Sequence, residues 1–416
     1  MKKFNYLFLF IMMICLCSCS NSNLKYDVRY HWEIDESGAI VNKEKHTFSD
    51  WYVIEESTCI VAGTQQRKCT VCSYKEIEEL ELKKHEEVVT KQGTPPTFYE
   101  DGITDEIKCL NCNNILQEQS VSPKLTSSQE LVYELNESGD GYIVVGAYES
   151  LSTELFVGLE HEGLPIVALA NNAFRNHYWI KTIKIADNVK KIGSSAFEYC
   201  SSLEVVVLPN GITTIEDKLF HECKNLKEVI LPEGITKIGN SAFGHCKELE
   251  KLNIPSTVTE LGEYAFGSTI KLEKLTLPDG ISLIPKSCFD CSGIKQINIP
   301  SNVKKIERGA FIACVNLERI EIPANCEILE NFVFNSCRKL KEVILSEGLQ
   351  TIGQLCFSGC NALSEIVIPS TVTTIGPSAF KNNADLVVNC KVESKPDGWD
   401  NEWIDSNSTV NWDYKE

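Results

Sequence analysis

The sequence predicts an α/β solenoid: an array of about ten stacked units of 22–23 residues with capped ends, preceded by a small β-rich module of cysteines and histidines. Three observations predict it. Phe174, Phe197, Phe220, Phe243, Phe266, Phe289, Phe311, Phe334, Phe357 and Phe380 recur every 23 positions, with one interval of 22. Most of them follow an alanine and precede a cysteine by three positions. Each unit also repeats a strand of alternating polarity that stops at proline, as from Leu226 to Pro232, then an apolar pair before glycine, as in Ile235, Ile238 and Gly239. A unit this short cannot enclose its own apolar side, so neighbours must stack.

Composition bounds the function. Of 416 residues, 43% are hydrophobic and 24% charged, which is globular composition. Fifty-eight acidic against 40 basic side chains give a net charge of −18, which repels phosphate backbones and excludes nucleic acid as a general partner. Nineteen cysteines fall into three groups with separate explanations.

The chain opens on Met1-Lys2-Lys3 and an apolar run from Phe4 to Leu16, shorter than the ~20 residues of a spanning helix. This pattern predicts a secretory signal. Its end, Leu16-Cys17-Ser18-Cys19, resembles the bacterial lipobox, with Cys19 as the residue to be lipidated and residues 1–19 as the signal. Lipidation anchors a chain to a membrane without a transmembrane helix, so the expected location is extracytoplasmic, at a bacterial membrane or cell surface. Residues 20–45, beginning Ser20-Asn21-Ser22-Asn23, read as a tether.

Residues 46–122 repeat internally. His46, Trp51, Cys59, Gly63, Lys68, Cys69 and Cys72 form one unit; His85, Phe98, Gly102, Lys108, Cys109 and Cys112 form the other, in which Phe98 stands in the place of Cys59. Each C-x-x-C turn aims two thiolates at one point, as tetrahedral zinc requires. Cys59, Cys69 and Cys72 with His85 would complete a structural Cys₃His zinc site, and His46 is an alternative fourth ligand. Cys69 and Cys72 with Cys109 and Cys112 would form a ribbon instead, and disulfides suit an oxidising compartment. The segment resembles small ribbon repeats that precede repeat arrays in bacterial surface proteins. The acidic run from Glu76 to Glu87 lacks calcium-loop spacing and reads as a solvated face.

Residues 123–170 comprise a linker and an N-terminal β cap. Gln117 to Glu130 reads as linker, and Leu131 to Val145 as a hairpin about Asn136-Glu137-Ser138-Gly139. The array spans 171–383. In each unit, alternation turns residues such as Val229 and Leu231 inward and Glu228 and Ile230 outward. Small polar residues after the glycine, such as Ser194-Ser195 and Asn240-Ser241, suit a helix N-cap and predict one short helical turn carrying Ala-Phe. Together these residues resemble the BspA-like leucine-rich repeat family of bacterial surface proteins. The resemblance implies the solenoid fold and adhesion to host, matrix or cell-surface proteins.

Residues 384–416 follow as a C-terminal cap in which Trp399, Trp403 and Trp412 cover the last rung; the alternative is a carbohydrate platform, since aromatic faces stack on sugars. The repeat cysteines, among them Cys200, Cys223, Cys246, Cys314, Cys337 and Cys360, read as buried thiols, with Cys291 one residue early in the short unit. The outward columns contain Val205, Val207, Glu228, Ile230, Lys251, Asn253, Lys274, Thr276, Gln296, Asn298, Arg319 and Glu321. Variable side chains on a regular ribbon suit a ligand-reading surface. The array's histidines sit in no nucleophile or phosphate-loop motif, so no catalytic residue is expected. The predicted function is therefore a lipid-anchored binding protein whose strand-lined face takes a protein or glycan on host, matrix or neighbouring cell. The alternative is an envelope protein in which the array is a spacer and the Cys/His module recognises the partner.

Overall fold

A computed structural model describes residues 23–97, 100–149, 152–383 and 385–415. The expected signal and Cys19 lie outside them. The described residues form two compact units, one of residues 23–96 with 101–123 and the other of residues 97 and 100 with those from 124 to 415.

The first unit is built from antiparallel ladders. Residues 20–45 are not simply a tether: Leu24–Tyr26, Tyr30–Ile34 and Ile40–Lys45 pair as a three-stranded sheet. Asp35 accepts amides from Ser37 and Ala39, and Gly38 takes φ +84°, which turns the second strand into the third. Tyr52–Glu55, Gly63–Lys68 and Lys75–Leu80 then form one meander, and Glu87–Lys91, Glu106–Cys109 and Ile115–Gln117 repeat it. Gly63 and Gly102 hold matching places, where a Cβ would collide with backbone of Glu55 and Ser57 in one case and of Thr94 and Pro96 in the other. The acidic run starts in a largely exposed strand, Lys75–Leu80, and its remainder is exposed, with no strand over residues 81–86. Part of the expected linker is also strand, since Val121–Ser122 pairs with Gly102–Ile103.

The second unit is a β-solenoid. It opens with the expected hairpin, Leu131–Leu135 against Tyr142–Ala147. One parallel ladder runs through Glu154–Val157, Thr182–Ile185, Val205–Val207, Glu228–Ile230 and Lys251–Asn253, and resumes from Lys274–Leu275 to Glu342–Leu345. A second ladder of two-residue strands runs from Leu283–Ile284 through Lys305–Ile306 and Ile328–Leu329 to Thr374–Ile375. Inside lie the ten phenylalanines, each fully buried. Successive rings stack with centroids 5.0–5.8 Å apart and planes within 4–21°. Burying such a side chain stabilises by ~1.5–3 kcal/mol, so a ten-ring column supplies a large part of the drive to coil.

The expected helical turn is absent; among the described residues no helix forms. The amides are committed elsewhere. Ser195, Phe197 and Tyr199 donate N–H to the carbonyls of Asp217, Leu219 and His221 in the next turn, while Ala196, Glu198 and Cys200 bond back three residues within their own turn. This alternation requires left-handed backbone at Ser195 (φ +57°) and Tyr199 (φ +63°), and the same two places are left-handed in Ser241 and His245. Helical bonding needs every amide to point along one axis. Stacking takes alternate ones sideways, so the label α/β becomes all-β.

The array also continues beyond residue 383. Trp403 stands 23 positions after Phe380 and its carbonyl accepts the Phe380 amide, the role that the residue just before the next phenylalanine plays in earlier coils, as Leu219 does for Phe197. Val387–Cys390 and Thr409–Asn411 extend the strand ladder. Trp399 and Trp403 are buried and pack edge-to-face, whereas Trp412 is exposed, with its ring 5.8 Å from that of Trp399.

Candidate functional site: an exposed ribbon and two Cys/His clusters

Consider first the polar column beneath the phenylalanines. Cys200, Cys223, Cys246, Cys314, Cys337 and Cys360 are fully buried, and each thiol donates to the carbonyl of a phenylalanine one turn earlier at 3.0–3.2 Å. Burial pushes Cys200 and Cys360 up to about 12, so they remain thiols. Thr269, Ser292 and Asn383 fill the column where cysteine is missing; Asn383 bonds the carbonyls of Phe357 and Phe380, both at 2.9 Å. Ser292, rather than Cys291, therefore belongs to the column in the short unit, and Cys291 is exposed. A column of satisfied donors is packing, not chemistry.

The outward positions are different. Val205, Val207, Glu228, Ile230, Lys251, Asn253, Lys274, Thr276, Gln296, Asn298, Arg319 and Glu321 are all exposed along one face. Two shallow depressions mark it, one bounded by Glu228, Ile230, Lys251 and Asn253, the other by Thr276, Gln296, Asn298 and Arg319, with Lys274 on the rim of both. They flank the place where the first ladder is interrupted, between Asn253 and Lys274. Ile230 is 77% exposed, and Val205 and Val207 are 48% and 46% exposed beside it. The lysines and the arginine differ in availability: Arg319 is held by Glu342 at 3.0 Å and Glu321 at 3.3 Å, whereas among the described residues no carboxylate pairs with Lys251 or Lys274.

In the first unit the four expected metal ligands do not converge. Cys69 and Cys72 meet His31 and His46, whereas Cys59 and His85 meet Cys109 and Cys112. The expected Cys₃His set is thus divided between two groups of two cysteines and two histidines, and the four-cysteine ribbon does not form either. Within each group all candidate ligand atoms lie within 4.8 Å of one another. The C-x-x-C turn shapes the first group, with the Val71 and Tyr74 amides each donating to a knuckle sulfur at 3.4 Å. Burial pushes Cys59 up to about 11. For Cys69, burial also raises the thiol, but the Val71 and Cys72 amides and His46 outweigh it and bring it to about 6. His46 turns Nδ1 towards Cys72 and holds the Asp27 carbonyl with Nε2 at 2.7 Å. His31 is the residue sequence reasoning missed, because it precedes the repeated segment.

Residues 167–291 and 261–387 match the BspA type leucine rich repeat region in six copies, and the chain belongs to that family. Solved structures similar to it include a leucine-rich cell surface protein from Faecalibacterium prausnitzii, 20% identical, covering 71% of this chain and 96% of that one, with a TM-score of 0.46. The pneumococcal vaccine antigen PcpA is also 20% identical, covering 69% and 85%, with a TM-score of 0.48. A leucine-rich repeat protein from Bacteroides ovatus is 19% identical, covering 69% and 99%, with a TM-score of 0.38. No curated protein matches the sequence.

Proposed function

We propose that this is a non-catalytic bacterial surface protein, lipid-anchored through Cys19, whose strand-lined ribbon binds a protein or glycan on host, matrix or neighbouring cell. The observation that carries the reading is the ribbon itself: exposed apolar side chains at Val205, Val207 and Ile230 beside Lys251 and Lys274, whose ammonium groups pair with no carboxylate among the described residues. Exposed apolar groups bordered by polar ones mark contact surfaces. A rigid coil presents them already ordered, which lowers the entropy cost of association. The Cys/His module, in this reading, holds structural zinc.

The test is binding of the full chain to an array of matrix proteins, host glycans and bacterial cells. Ile230→Asp with Lys251→Glu and Lys274→Glu is expected to lower affinity at least tenfold while leaving the melting temperature within a few degrees. Unchanged binding in that variant would place recognition elsewhere. Loss of binding on replacing the module's cysteines, with the ribbon intact, would assign recognition to the module and make the array a spacer.

A further inference from the structure

The two Cys/His groups share a design that the repeated sequence conceals. In the second group His85, Cys109 and Cys112 all come from the second unit of the duplication, and the fourth member, Cys59, comes from the first. In the first group His46, Cys69 and Cys72 come from the first unit, and the fourth, His31, comes from the hairpin ahead of it. Each unit thus supplies three groups to its own cluster and takes the fourth from the segment before.

We propose that the module binds two zinc ions in series, each in a closed site of two cysteines and two histidines, with Cys59 and His31 as ligands handed forward from the preceding segment. The proposal rests on the reading of the module as zinc-binding and goes beyond it in the number of ions, their ligands and the linkage between units.

Geometry supports it first. A tetrahedral zinc with Zn–S near 2.3 Å and Zn–N near 2.0–2.1 Å puts each sulfur roughly 3.5–3.8 Å from its neighbouring ligand atoms. Here Cys59 Sγ and Cys109 Sγ are 3.7 Å apart, Cys112 Sγ and His85 Nδ1 3.6 Å, Cys72 Sγ and His46 Nδ1 3.5 Å, and Cys69 Sγ and His31 Nδ1 3.9 Å. A disulfide explains none of the histidines; two rings converging on each sulfur pair are what a metal uses. Two thiolates and two imidazoles in a tetrahedron select zinc among common divalent ions. The Asp27 carbonyl on His46 Nε2 is the kind of outer contact that fixes a ligating ring.

The duplication supports it independently. The second unit has Phe98 where the first has Cys59. If each unit used that cysteine for its own site, the second site would be one ligand short. If the cysteine serves the next unit, the last unit needs none. The missing cysteine then marks the end of the series.

Zinc content and X-ray absorption on the full chain test the scheme. Two zinc ions per chain with an average shell of two sulfurs and two nitrogens is expected, and this measurement needs no variant. Cys59→Ser is expected to halve the zinc content and abolish the site that contains His85, while His31→Ala is expected to halve it through the other site. One ion with a three-sulfur shell, or two ions unaffected by Cys59→Ser, would overturn the serial scheme while leaving zinc binding intact. No zinc, with the cysteines recovered as disulfides after zinc is supplied, would overturn the metal reading itself.

Discussion

Glu198 and His221 occupy equivalent places in adjacent turns and lie against each other. Glu198 is buried, yet Arg175 Nε lies 2.8 Å from its carboxylate and Lys218 at 4.0 Å. His221 has its Nδ1 3.5 Å from the same carboxylate without a hydrogen bond to it. Burial, and then the neighbouring His245, hold the His221 ring below its ordinary value of 6.5 despite that carboxylate. A histidine kept neutral in the folded chain protonates first in the unfolded one. Its contribution to stability is therefore complete above 6.5 and is lost as pH falls through the lowered folded value. Denaturant midpoints followed from neutral pH downwards should fall more steeply in the native chain than in His221→Gln; parallel curves would show that another group governs acid sensitivity. Neither residue stands out in the sequence, because only the 23-residue offset brings them together.

At the level of one turn, the stacked ring and the column beneath it act together. Phe243→Ala removes a fully buried ring held between Phe220 and Phe266, and a cost of ~3–5 kcal/mol is expected in denaturant unfolding. Cys246→Val, which only deletes the thiol bond to the Phe220 carbonyl, should cost about 0.5–1.5 kcal/mol, because the Cys223 amide still reaches that oxygen. Cys246→Thr should cost less than the valine, since Thr269 shows a hydroxyl accommodated in the column. The strand alternation at Val229 and Ile230 and the phenylalanine spacing were readable because burial imposes them residue by residue. The turn carrying Ala-Phe is not legible in the same way: Ser195 looks like a helix cap, and only the next coil, by accepting the amides of Ser195, Phe197 and Tyr199, makes left-handed backbone there worth its strain.

Across the whole molecule, coil-to-coil contacts repeat at one offset. Lys227 meets Glu204 at 3.0 Å, Lys286 meets Glu263 at 3.1 Å and Lys237 meets Glu260 at 3.1 Å. Each such exposed pair adds little, so the burden falls on the interior and on its closed ends. Trp403→Ala should strip the cover from Phe380, costing ~3–5 kcal/mol, and chain association detected by light scattering should rise as the end rung opens. Counting 23 beyond Phe380 does not place Trp403 correctly, because the closing coil is longer: Phe380 donates to a carbonyl 23 residues on, where Phe357 donates to one 22 residues on. The grouping of Cys59 with His85 and of His31 with Cys69 was hidden for a different reason. Sequence spacing favours partners inside one unit, whereas folding passes one ligand forward.

The coil that closes on Phe311 is one residue shorter than its neighbours, yet its ring sits 5.0 Å from Phe289 in the same pile. The loss of one residue from a coil therefore need not break the stack of rings. Because each coil touches only its neighbours, adding or removing a whole coil would change the length of the array while every remaining coil keeps the contacts that hold it.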